Sequence, residues 1–458
     1  MIEPARLISA REHQVPGKLL VAELLFEVPL DHTQPSGERI KLFCRSAKKF
    51  AKPAAPDSKA NKEQLPWFVY IPGGPGFGCP PPQNMMELTT EVLERGYQFL
   101  CFDHRGMGLS TPATAATITA KGSPEQQADY LRHFRAENAV RDLEAIRKCL
   151  TADYPAEQKK WTIMGTSYGG FVCLNYLSFH PQGLREAFPV AGMAPITQTT
   201  PDEPIRRLVK KVKERNEKYY AKYPEDKASV KKVLQLIHDS KIHLPSGDSL
   251  TVDRFREMGI SFGFHGGLDR VHSIVHRAAS DIDMFGYLTR PTLSDLESMS
   301  SFSDQPLYAV LHGSIYAQGQ ASAWAFDRVL HEFPEFQVDA GKVPKDEEIL
   351  FTGEMVFRRA FDDYGELKPL AAAADLLEAK QDWDKLYDIE QLRQNQVPVY
   401  AAIFVDDMYV DFNFSLETAS IVRGCKTFVT NMLYHNAIRA KNAEVMKALF
   451  ALRDDTLD

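Results

Sequence analysis

The residues whose types and order could do chemistry together are a serine between glycines, a pair of late acids and a single late histidine. The serine stands in Gly165-Thr166-Ser167-Tyr168-Gly169-Gly170, the acids are Asp406-Asp407, and His435 is the only histidine after position 331. A serine hydroxyl is a poor nucleophile until an imidazole takes its proton and a carboxylate fixes the imidazole tautomer. As a bare pattern Gly-x-Ser-x-Gly is common. Here it follows the apolar run Trp161-Thr162-Ile163-Met164 and opens a helix-like run reaching Phe179, which is the strand–turn–helix setting of a nucleophile elbow. In that setting the chain order is serine, acid, histidine. Ser167, Asp407 and His435 satisfy it. Asp407 is preferred to its neighbour Asp406, because adjacent side chains leaving a strand point in different directions; Asp411 ranks third.

An acyl transfer also needs amides that hold the developing oxyanion. The amide of Tyr168, just after the serine, is one candidate. The loop Gly73-Gly74-Pro75-Gly76, after an early strand, is placed to supply the other, with Gly74 as the expected donor. That loop lacks the Gly-Lys-Ser/Thr ending of a phosphate-binding loop. The polar segment Asp103-x-Arg105-Gly106-x-Gly108-x-Ser110 is expected to shape the wall beside the site. No His-Glu-x-x-His or other clustered ligand set implies a metal, and no cofactor is expected.

The elements that must position these residues are legible as short apolar strands alternating with helices. Strands are predicted at Leu19–Val28, Arg39–Arg45, Trp67–Ile71, Gln98–Phe102 and Trp161–Met164, with a surface loop from Lys52 to Pro66 and one helix from Glu125 to Leu150. From about Pro195 to Gln394 the strand signal gives way to amphipathic helices, with a strongly basic stretch from Arg206 to Lys232 read as a solvated helical face. Strands return at Val397–Val405 and Lys426–Thr430, and a last helix runs from Asn442 to Leu452. Alternating buried strands and helices predict an α/β fold with a mainly parallel sheet covered on both faces. Since the serine comes early and the acid and histidine late, residues 1–194 and 395–458 are expected to form one catalytic domain, with 195–394 as an inserted helical cap.

Composition narrows the class. The chain is 44% hydrophobic and 25% charged with a formal net charge of −7, as in an ordinary globular protein. The acidic excess argues against a dedicated nucleic-acid binder. No apolar run approaches the roughly 18 residues of a membrane span, and the first residues do not read as a signal peptide. Six scattered cysteines form no zinc or disulfide pattern, and Cys101 and Cys173 are expected to be buried and reduced. The expected compartment is the cytoplasm.

Together the Gly73–Gly76 loop, the Asp103–Ser110 motif, the Gly165–Gly170 elbow, Val405-Asp406-Asp407-Met408-Tyr409-Val410 and His435 resemble the α/β-hydrolase fold and, within it, the proline iminopeptidases. The resemblance extends into the helical middle at Phe262–Leu268 and Gly353-Glu354-Met355 and covers most of the chain. It implies a serine exopeptidase that releases an N-terminal residue, preferably proline, from small peptides with a free N-terminus. It further implies that Glu354 anchors the amine and that Gly73, Gly76, Tyr409 and Phe357 bound the substrate. Two positions depart from the family: Pro72 stands where a histidine often begins the glycine loop, and Gly313 stands where relatives often look acidic. The alternatives are an esterase or amidase whose substrate lacks a free amine, and a silent scaffold used for binding.

Overall fold

Trp67–Ile71, Gln98–Phe102, Trp161–Thr166 and Val399–Phe404 are short apolar runs buried on both faces, and they form the middle of one sheet. The computed structural model describes residues 2–50, 64–299, 302–338 and 348–455. Among these, nine strands pair: β1 (Arg6–Val15), β2 (Leu19–Pro29), β3 (Arg39–Lys49), β4 (Trp67–Ile71), β5 (Gln98–Phe102), β6 (Trp161–Thr166), β7 (Leu184–Val190), β8 (Val399–Phe404) and β9 (Cys425–Thr430). The spatial order is β1-β2-β3-β5-β4-β6-β7-β8-β9. The first three strands are an antiparallel meander that joins β5 antiparallel, and every pairing from β5 to β9 is parallel. This is the mainly parallel, doubly covered sheet of an α/β hydrolase.

Side chains alternate across the sheet. Trp67, Val69 and Ile71 join one apolar cluster, while Phe68 and Tyr70 join the other. The second cluster is closed by the helices Met86–Glu94 and Asn442–Asp454. The first passes under the helices Ala136–Leu150 and Tyr168–Phe179. It then continues without a break into the residues between β7 and β8, from Ile205 and Val209 to Leu377 and Leu392. The inserted helices therefore share the apolar core above the sheet rather than enclosing one of their own.

Two strands escape the sequence reading, each for a physical reason. β1 is an edge strand exposed along nearly its whole length, so it has no apolar face to advertise. β7 contains Pro189, which lacks a ladder donor; its pairing to β8 is sparse, at Ala187–Val399 and Val190–Ala402. The helix expected from Glu125 to Leu150 is interrupted. Pro124–Leu131 ends in a 3-10 turn, Arg135 is extended at φ −84° and ψ 178°, and Ala136–Leu150 begins anew. The break frees Arg135 to donate to the carbonyls of Ser314 (3.0 Å), Ala317 (2.9 Å) and Asp384 (3.1 Å), with Trp383 under its guanidinium. It thereby ties the catalytic layer to the insertion. Most of the expected loop, residues 52–63, lies outside the described residues.

The basic helix Asp202–Lys222 is largely paired at the surface, with Arg206 to Glu203 and Glu332, Lys213 to Glu335 and Lys218 to Asp406. All six cysteines are free, and Cys101 and Cys173 are buried. Among the described residues no helix is long and apolar enough to cross a membrane.

Candidate active site

Ser167 sits in the turn between β6 and the helix Tyr168–Phe179 with φ 54° and ψ −125°, a conformation that costs a non-glycine residue of order 1–3 kcal/mol. Packing holds it there. A side chain at Gly165 would run into the Gly169 carbonyl, so the strand and helix approach too closely for anything larger than glycine. Gly73 presses on the serine from the neighbouring β4 loop; a Cβ there would lie 2.8 Å from Ser167 Cβ.

His435 follows β9. Its Nδ1 lies 2.8 Å from Asp407 Oδ2. Asp407 is buried and turns back at the end of β8, where its Oδ1 accepts the amides of Tyr409 (2.8 Å) and Val410 (3.0 Å). Asp406 instead faces Lys218 at 3.2 Å, and Asp411 caps the helix Phe412–Ile421 by accepting the Phe414 amide at 2.9 Å. Burial disfavours the charged imidazole, but Asp407 outweighs it by charge and hydrogen bond, assisted by Glu354, and His435's pKa is raised above its ordinary value.

A cavity of about 380 Å³ opens over the serine. Ser167, His435, Gly73, Gly74, Glu354 and Tyr409 all line it. Glu354 reaches it from the insertion, accepting a hydrogen bond from the Tyr308 hydroxyl. Burial pushes its carboxyl up to about 7, against the opposing pull of His435 and Tyr308. The walls are aromatic. Phe264 stacks on Tyr409 at 5.1 Å, Tyr409 covers His435 at 4.3 Å, and Phe302 stacks on Tyr308 at 5.7 Å. The insertion also grips the histidine loop directly: the His265 amide donates to Asn436 Oδ1 (3.0 Å) and the Tyr434 amide to His265 Nε2 (3.3 Å).

The family model described as alpha/beta hydrolase fold matches residues 66–286. A proline iminopeptidase of Aspergillus aculeatus is 42% identical over 457 residues, which is 100% of this chain and 99% of that protein. The chain belongs to the proline iminopeptidase family. A second relative, the proline iminopeptidase of Aeromonas sobria, is 37% identical over 432 residues, covering 94% of this chain and 96% of that one.

Within this proline iminopeptidase fold the residues singled out from the sequence separate into two groups. Ser167, Asp407, His435, Gly73, Gly74, Glu354 and Tyr409 come together, and Tyr168 begins the helix behind the serine. Gly76 and Phe357 do not line the cavity. The Gly76 amide donates to Met107 Sδ at 3.1 Å, and its α-carbon packs against Tyr308; Phe357 is buried beneath Arg359. The Asp103–Ser110 motif is a brace. Asp103 accepts the amides of Cys79 (2.6 Å) and Leu109 (2.9 Å), and His104 Nε2 meets the Pro72 carbonyl at 3.1 Å. Arg105 pairs with both oxygens of buried Asp142 (2.7 and 2.6 Å); removing one partner of such a pair costs about 3–5 kcal/mol. At Gly313 the space for a side chain is filled by the carboxylate of Glu378, held by Ser322 Oγ (2.6 Å) and the Trp324 amide (2.8 Å).

Sequence reasoning missed Tyr308, Phe264, Phe302 and Glu257. Glu257 is a second carboxyl in the cavity, pushed up to about 8 by burial and hydrogen-bonded by Tyr364 at 2.6 Å. Phe264 alone had a signal, since it falls in the Phe262–Leu268 segment that resembles the family. Outside the cavity lining, Glu225, Asp226 and His272 stand close enough to hold a metal ion, but Asp226 already accepts from Tyr219 and meets His272 Nδ1 at 2.9 Å.

Proposed function

We propose that this protein is a serine aminopeptidase that releases an N-terminal residue, preferably proline, from short peptides. The observation that carries the reading is one cavity holding Ser167, the Asp407-paired His435 and the half-buried carboxyl of Glu354. A hydrolase acting on neutral esters has no use for an acid in the cavity beside its serine and histidine. An enzyme that must find a protonated amine at a set distance from a carbonyl does, because a charge-assisted hydrogen bond is strong and directional there.

In this mechanism the substrate's amine docks on Glu354, and its pyrrolidine ring lies against Phe302 and Tyr308. Ser167 Oγ attacks the carbonyl while His435 Nε2 takes its proton, and Asp407 holds the ring and the resulting imidazolium. The amides of Tyr168 and Gly74 hold the oxyanion. The C–N bond breaks as His435 returns the proton to the leaving amine. Water, deprotonated by the same imidazole, then hydrolyses the acyl-enzyme.

Proline p-nitroanilide is expected to be turned over, and its N-acetyl derivative to be at least about a hundredfold poorer, the scale of one lost charge-assisted hydrogen bond in a buried site. Glu354→Gln is expected to lose about as much on the free amine and little on the acetylated substrate. Equal rates on the two substrates would overturn amine recognition and favour an esterase or amidase.

The pH profile carries a second expectation. Both His435, whose pKa is raised, and Glu354, at about 7, must be deprotonated in the free enzyme for kcat/KM to be maximal. Activity therefore falls as pH drops through this region, with a limiting slope near two on a logarithmic plot. In Glu354→Gln the slope falls toward one. A wild-type slope of one would remove Glu354 from the ionisations that matter.

A further inference from the structure

Two arginines line the same cavity without a partner of their own among the described residues. Arg270 stands in the first turn of the helix Gly267–Phe285, from the insertion; Arg439 stands in the short helix Ala437–Ala440, just past His435. Both are exposed, so they border the cavity where it opens to solvent. Neither guanidinium has a hydrogen-bond or ion-pair partner among the described residues. Several other arginines on the insertion's surface are paired: Arg206 with Glu332, Arg207 with Glu203, Arg277 with Asp295 and Arg328 with Asp202. Arg439 lies near enough to His435 for its charge to lower that imidazole's pKa. The cavity is thus polarised, with the carboxyls of Glu354 and Glu257 in its lining and two free cations at its rim.

A zwitterionic peptide has the complementary polarity. Its amine belongs at Glu354, beside the scissile carbonyl, and its C-terminal carboxylate belongs wherever fixed cations wait. The dimensions agree. A sphere of the cavity's volume is about 9 Å across, and an extended chain spans about 3.3–3.6 Å per residue, so two or three residues bridge it. A guanidinium presents a planar fork of donors that matches a carboxylate.

We infer that Arg270 and Arg439 form a carboxylate-binding rim that selects di- and tripeptides by their free C-terminus. This rests on the aminopeptidase reading above. The chain end, rather than a side chain, is the group recognised, and peptides amidated or extended beyond the rim lose the contact.

The test compares kcat/KM for Pro-Ala and Pro-Ala-Ala with their C-terminal amides. The wild-type enzyme is expected to favour at least one free acid by about fivefold, the scale of two solvent-exposed ion pairs. The gap narrows at 1 M salt, where the screening length is about 3 Å. In the double variant Arg270→Gln, Arg439→Gln the acid-to-amide ratio falls to near one, through KM rather than kcat. A wild-type ratio of one for both lengths, or a ratio that survives the double substitution, overturns the rim. Wild-type turnover of proline p-nitroanilide separates the two readings: its presence with a ratio of one sinks only the rim, and its absence sinks both.

Discussion

Ser167→Ala is expected to lower kcat on proline p-nitroanilide by about a million-fold, the loss seen when a triad serine is removed from a serine protease. The size follows from the geometry. The hydroxyl is held at φ 54° in a turn that no neighbouring residue can relax, since Gly73 and the glycines of the elbow are packed against it. The other small hydroxyls among the described residues of the cavity are placed elsewhere: Ser261 belongs to the insertion rather than to the turn at the end of β6, and Thr166 Oγ1 is hydrogen-bonded to the Tyr70 hydroxyl at 3.1 Å. What survives is binding and oxyanion stabilisation, about 10³–10⁴ over water. A fluorophosphonate probe should label the wild type and not the variant. Turnover by the variant above one per cent would move the nucleophile elsewhere, and a wild type inert to the probe would make the site a silent scaffold.

Asp407→Asn is expected to cost about ten-thousand-fold in kcat, because an amide at that place stabilises the wrong imidazole tautomer and no longer neutralises the imidazolium. The neighbouring Asp406→Asn is expected to change kcat by less than about threefold, since a surface ion pair is worth under about 1 kcal/mol and Asp406 meets Lys218 at 3.2 Å and Lys211 at 3.9 Å among the described residues. The pair of substitutions is a controlled comparison one residue apart. Loss of activity in Asp406→Asn with retention in Asp407→Asn would reverse the assignment. Because Asp407 Oδ1 also holds the Tyr409 and Val410 amides, Asp407→Asn should be checked for a native thermal transition.

How much of this was legible in the sequence depends on how local the cause is. β4, β5 and β6 are read almost to the residue, because a strand buried on both faces must be a short apolar run. The elbow is legible as a short pattern, Gly165 answering the Gly169 carbonyl four residues on, although Gly169 and Gly170 are required by backbone from Ile71 and Gly192. β1 and the break at Arg135 are not. One is an exposed edge without an apolar face; the other exists because Arg135 reaches the carbonyls of Ser314 and Ala317, some 180 residues away along the chain. The cavity's aromatic walls fail in the same way. Phe302, Tyr308 and Phe264 are ordinary apolar residues of amphipathic segments until the insertion folds over the sheet.

By itself the sequence determined the chemistry available: a serine in a turn that only small neighbours permit, a histidine and acid following in the required order, and an α/β sheet to carry them. Only the tertiary structure decided which acid meets the histidine, because Asp406 and Asp407 differ in direction and not in type. It alone put Glu354 beside that pair, raised its carboxyl to about 7 by burial, and set aside Gly76 and Phe357, whose surroundings come from Met107, Tyr308 and Arg359. The reason is range. Backbone geometry and strand burial are dictated by a few neighbours in the chain, whereas desolvation and charge pairing are set by whatever the folded chain brings within a few ångströms, here across 28 residues from Asp407 to His435 and 46 from Tyr308 to Glu354.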